Sequence, residues 1–198
     1  IQFEEEFGIP ELRVDVLSLR DDILQIPRVA DNGEALSIEE RSTLLRQKLD
    51  DPGLLNADGY LAIPFNTSFD RLSPLTRNHK VFYIEANIEG NDSGDFLGRL
   101  YLRQVGTSTI HSVDSEYQYY RFPERTAVVN PFFNGTRQLS QSNEIYRSYR
   151  LRELPLVNTD WELVINQRNE YVNQDINLKE LTDIKLYIFY NDFTIYQN

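Results

Sequence analysis

Apolar and polar residues alternate along most of this chain, and the alternation predicts strands. In Glu11-Leu-Arg-Val-Asp-Val-Leu17, the side chains of Leu12, Val14 and Val16 fall on one face and those of Arg13 and Asp15 on the other. That is the period of a half-buried strand, with the apolar face turned inward. Residues 27–36 carry Pro27 and Asp31-Asn-Gly33, which favour a turn. From Val81 to Ile88 the period returns, with Phe82, Ile84, Ala86 and Ile88 expected inward and Tyr83, Glu85 and Asn87 outward. Gly90-Asn-Asp-Ser-Gly94 breaks that run, and Arg99 to Val105 resumes it with Leu100 and Leu102 inward. The two runs read as antiparallel neighbours joined by a Gly-rich loop.

Further strands are expected at Tyr60-Leu-Ala-Ile63, entered from Asp58-Gly59 and stopped by Pro64, and at 107–113, 117–122 and 127–130. The stretch 131–152 is less regular, with a turn at Asn134-Gly135 and an extended piece at 145–151. Two strands close the pattern: Trp161-Glu-Leu-Val-Ile165 and Asp183-Ile-Lys-Leu-Tyr-Ile-Phe-Tyr190, with Trp161 and Ile188 assigned to the core. One helix interrupts the strands. Ser37-Ile-Glu-Glu40 forms a capping box, Ile38, Leu44, Leu45 and Leu49 supply an apolar stripe, and Asp50-Asp-Pro-Gly53 ends it. This helix, at about 37–49, is expected to lie on a sheet edge.

Many short strands with one early helix predict a mainly β protein, an antiparallel β-sandwich of jelly-roll type. No repeat and no low-complexity linker divides the chain, so residues 1–198 read as one domain. Residues 1–73 are expected to complete the sandwich formed by 74–198.

Composition narrows the function classes. No run approaches the roughly 18 apolar residues of a membrane span, and Ile1-Gln-Phe-Glu-Glu-Glu6 has no signal-peptide pattern. Methionine is absent even at the first position, which reads as excision from a longer polypeptide. With no cysteine there can be no disulfide or thiolate chemistry. The net charge of −11 opposes nucleic-acid phosphates and anionic membranes.

Candidate chemistry is sparse. His79 and His111 are the two histidines, in different predicted elements and without a metal-ligand spacing. Acidic pairs such as Asp21-Asp22, Glu39-Glu40 and Asp50-Asp51 are expected from 31 acidic residues and read as solvated charge. Asn91-Asp-Ser-Gly-Asp95 offers oxygen ligands but reads as an ordinary turn. The loop at Asn56 to Gly59 fails as an EF-hand, because Leu54 and Phe65 occupy ligand positions. Three Asn-x-Ser/Thr triplets, at Asn66, Asn91 and Asn134, compare with about two expected by chance in a chain this rich in Asn and do not establish glycosylation. No phosphate loop, nucleophile elbow or dinucleotide fingerprint occurs. The expectation is therefore a protein without enzymatic activity, cofactor or metal. The feature with binding chemistry is Tyr117-Gln-Tyr-Tyr-Arg-Phe122. Tyr and Arg are favoured at interfaces, so Tyr117, Tyr119 and Arg121 are the candidate partner-binding residues, with the alternate residues facing inward.

Trp161, Leu163 and Ile165, followed by Asp183-Ile184, Leu186, Ile188 and Tyr190, resemble the end of the A component of bacterial Tc (toxin complex) toxins. Asn78-His-Lys and the strand Val81 to Ile88, with Arg99 to Val105 after it, are similar to the strands preceding that end. The resemblance spans residues 74–193. It departs from the family in lacking a Pro-Gly before the histidine and in ending Asn191-Asp-Phe-Thr194. It implies a β-sandwich that binds the B-type toxin component, within a large secreted or cell-surface bacterial virulence protein. The alternatives are a carbohydrate-binding sandwich, with outward Tyr and Trp rings stacked on sugars, and a structural spacer.

Overall fold

Two four-stranded sheets face each other across a common apolar core, and a two-stranded hairpin stands beside them. The computed structural model describes residues 10–91, 99–114, 116–129, 131–136, 150–165 and 176–195. Among these lie strands β1 (Glu11–Ser18), β2 (Leu61–Thr67), β3 (Thr76–Gly90), β4 (Leu100–Gln104) and β5 (Thr107–His111). They are followed by β6 (Tyr117–Arg121), β7 (Arg125–Val129), β8 (Pro131–Phe133), β9 (Thr159–Ile165) and β10 (Leu181–Thr194). The first sheet has the order β1-β10-β3-β8 and the second β2-β9-β4-β7. All pairings are antiparallel except β3 with β8. The protein is a mainly β sandwich, as the alternation predicts.

Each sheet contributes rows of aligned apolar residues to the core. In the second sheet, Ile63, Leu163, Leu102 and Ala127 stand opposite one another across four strands, and all are buried. In the first, Leu17, Leu186 and Ala86 form the matching row. Trp161 is 1% exposed and stacks on Phe65 with ring centroids 6.3 Å apart, while its indole N–H donates to the Thr67 hydroxyl at 3.0 Å. Its one polar atom is thereby satisfied inside the core.

Strand β1 faces the opposite way from the expectation. Leu12 and Val14 are 55% and 50% exposed, whereas Arg13 and Asp15 share the face that ends in buried Leu17. The reason lies in the tertiary partners. The Arg13 guanidinium grips the fully buried Asp192 carboxylate at 2.8 Å, and Arg71 bonds Asp15 at 3.0 Å. An edge strand that turns charges inward in this way resists pairing with other chains.

Further corrections concern neighbours. Strands β3 and β4 lie in different sheets, so the chain crosses the sandwich between them instead of turning back. Pro64 does not stop β2, which runs to Thr67; proline is tolerated because β2 is an edge strand. A register shift opposite Phe189 and Tyr190 removes Phe82 from the core-facing set and keeps Val81, Ala86 and Ile88 fully buried. Tyr83, on the outer side, stacks on Phe189 with centroids 4.3 Å apart.

The helix α1 (Ile38–Leu49) begins with the expected capping box: Ser37 Oγ accepts from Glu40 N, and Glu40 accepts from Ser37 N. Leu45 and Leu49 are buried, but Ile38 is 67% exposed. Buried Arg41 takes part in the docking face instead, donating to Asp21 at 2.7 Å and to the Ile26 carbonyl at 3.0 Å. The helix packs on β10, an interior strand, and not on a sheet edge. The turn at Asn134-Gly135 forms, with both residues at positive φ. Of the extended piece expected at 145–151, residues 145–149 lie outside the described residues, as do 92–95, while Arg150 and Leu151 lie in a turn.

Candidate functional site

The β5–β6 hairpin carries the candidate residues, and its attachment explains their exposure. Strand β5 is fastened on one edge, where Thr109 N donates to the Val157 carbonyl at 2.9 Å, and Ser108 and Thr109 are buried. On its other edge β5 pairs with β6, Thr107 opposite Arg121 and His111 opposite Tyr117. At the base Phe122 N donates to the Gly106 carbonyl at 2.7 Å. Gly106 sits at φ 84°, a conformation that favours glycine.

Strand β6 pairs with no further strand among the described residues, and all five of its residues are exposed. The expectation that alternate residues face inward is corrected here. A two-stranded ribbon held along one edge has no second layer over its outer strand, so both faces of β6 meet solvent. Tyr119 is the most open, at 80%. Tyr117 lies flat on His111, with centroids 4.4 Å apart and planes 11° from parallel. Tyr120 stacks on Phe122 at 5.6 Å. Tyr117, Tyr119 and Arg121 occupy alternate positions and so share one face of the strand.

Between the hairpin and the adjoining ends of β2 and β9 lies an open groove of about 360 Å³. Tyr119, Tyr120 and Arg121 of the hairpin line it, as do Asn66 of β2 and Asn158 and Asp160 at the start of β9. Asn66 and Asp160 are opposed in the β2–β9 ladder, and the Asn66 amide donates to the Asp160 carboxylate at 2.7 Å. Asn158 adopts φ 48°, a left-handed turn position that asparagine tolerates. Ser108 also lines the groove, and its hydroxyl has no hydrogen-bond partner among the described residues. The sequence singles out Tyr119 and Arg121 but gives no sign that Asn66, Asn158 and Asp160 line the same groove. They come together through the β2–β9 pairing, which no local pattern reveals.

The two histidines lie in strands β3 and β5, which touch, and the charge on His111 acts on His79. His79 is 2% exposed in β3, and its Nε2 lies 2.7 Å from the Thr76 hydroxyl. Because that hydroxyl donates to the Ser73 carbonyl at 2.9 Å, the ring N–H must sit on Nε2. Burial pushes the His79 pKa down to about 4, and its Nδ1 has no hydrogen-bond partner among the described residues. His111 lies in β5 under Tyr117. Among the described residues, no three His, Asp or Glu side chains gather as metal ligands. No helix among them is long and apolar enough to cross a membrane.

No protein-family model matches the chain, and no curated protein matches it in sequence. Among solved structures, the chain is similar to one in the cryo-EM structure of Yersinia pseudotuberculosis TcaA-TcaB, with a TM-score of 0.48 and 12% identity. The match covers 96% of this chain and 10% of that one, so this chain spans about a tenth of its length.

Proposed function

We propose that this chain is a non-enzymatic docking module of a larger, secreted or cell-surface Tc-toxin-like bacterial protein, and that it binds a B-type cocoon component. The resemblance of residues 74–193 to the end of the Tc A component supports the partner class. The observation that carries a binding role is the exposure of every residue of β6 on a hairpin anchored to the sandwich through β5. Such a ribbon presents two tyrosines and an arginine on one face without a buried counterpart. Aromatic and arginine side chains supply most of the energy at protein interfaces. The net charge of −11 favours a partner with a basic surface.

The test is capture of a B-type component from the same toxin locus by the immobilised chain. Binding that weakens by about tenfold or more on Tyr119→Ala with Arg121→Ala supports the reading. No binding, or binding indifferent to both substitutions, overturns it. Hydrolysis of any substrate in a broad panel, persisting through repurification, would contradict the non-enzymatic assignment.

A further inference from the structure

We propose that the groove beside the hairpin is a saccharide-binding site. Its lining suits a pyranose ring. The phenol ring of Tyr119, 80% exposed and on the same strand face as Arg121, offers a π face, which attracts the weakly positive axial C–H groups of a sugar. The ends of β2 and β9 add two amides, Asn66 and Asn158, which donate and accept hydrogen bonds, and the Asp160 carboxylate, which accepts them. Sugar hydroxyls both donate and accept, so this mixture of groups is complementary to them.

Other ligand classes fit less well. An apolar molecule would cut Asn66, Asn158 and Asp160 off from water with only the Asn66–Asp160 bond to compensate. A phosphate group would meet the Asp160 carboxylate with only Arg121 to offset it. Arg121 forms no ion pair with the protein among the described residues, which leaves its fork of N–H groups able to bridge adjacent hydroxyls. The Asn66 amide fixes the Asp160 carboxylate at 2.7 Å, so the accepting oxygen is oriented before a ligand arrives. At about 360 Å³, the groove lies at the lower end of the range of small-molecule sites, about 300–1,000 Å³.

The inference is independent of the docking partner and is tested on the chain alone. Saturation-transfer NMR is recorded with the methyl glycosides of glucose, galactose, mannose, N-acetylglucosamine and sialic acid. The expected result is transfer to at least one glycoside, strongest at the ring protons of one face. Affinity for that glycoside should fall about tenfold in both Tyr119→Ala and Asp160→Ala, a loss of about 1.4 kcal/mol each. Both sites are exposed, so the variants keep the fold, which is checked by their unfolding midpoints. No transfer from any glycoside overturns the proposal, as does transfer unaffected by either substitution. Binding of the B-type component with no sugar signal would retain docking and eliminate the saccharide site; the reverse outcome would do the opposite.

Discussion

The Asp183 carboxylate, with no exposed surface, accepts a hydrogen bond from the Ser18 hydroxyl at 2.7 Å. The Arg20 amide adds a second at 3.0 Å and the Ile184 amide a third at 2.8 Å. This one side chain thereby joins the end of β1 to the start of β10, 165 positions away in sequence. Burial pushes its pKa up, while the bonds from Ser18 and Arg20 and the charge of Arg20 pull it down. Asp183→Ala would leave several buried donors without an acceptor. The expected loss is about 3 kcal/mol in urea unfolding; a change under about 0.5 kcal/mol would show that the donors find other partners.

His79 should make stability fall on acidification. Its folded pKa of about 4 lies below the unfolded value of about 6.5, so the unfolded chain takes up a proton first. Stability is therefore intact above pH about 6.5 and declines until pH about 4, by a total of roughly 3 kcal/mol. The buried carboxylates of Asp183 and Asp192, raised by desolvation from 3.8, act with the opposite sign at and above that value, within the same acidic range. Comparing the parent with His79→Gln cancels their contribution. The variant should lose most of the decline between pH 6.5 and 4, and an unchanged difference across that window would refute the assignment.

Ile188 is 1% exposed in the middle of β10, which is itself interior to its sheet. Ile188→Ala should cost about 2–5 kcal/mol. A denaturation midpoint indistinguishable from the parent would contradict the core placement.

Gly90 is confined by backbone. A Cβ there would lie 2.2 Å from the Glu180 carbonyl oxygen, and the Asn134 amide brackets the residue with bonds to its N–H and C=O, each 2.9 Å. Gly90→Ala must separate β3 from the entry to β10, at a cost of about 1–3 kcal/mol. Unfolding by urea measures it, and amide exchange should accelerate at Leu181.

The capping box gives a smaller effect. Ser37→Ala removes the acceptor for Glu40 N and should destabilise by about 1 kcal/mol. Ser37→Asn should restore most of it, whereas a loss equal to that of alanine would assign the effect to something other than the cap.

Local pattern determined a good deal of this protein. The period-two runs marked the two closing strands, the capping box marked the start of α1 at Ser37, and Trp161 and Ile188 were legible as core. These follow from forces within a few residues: side-chain alternation, a hydroxyl three positions from an amide. What faced what was decided by tertiary structure alone. Leu12 and Val14 look inward by their chemistry, yet they are exposed because Asp192 and Arg71 hold Arg13 and Asp15 on the other face. The same holds for the site. Tyr119 and Arg121 were visible as residue types with binding chemistry, but their groove exists because β2 pairs with β9 and brings Asn66 beside Asp160, 94 positions apart. Periodicity reports which way one strand prefers to turn, whereas partner choice depends on contacts that close only when the whole sandwich has formed.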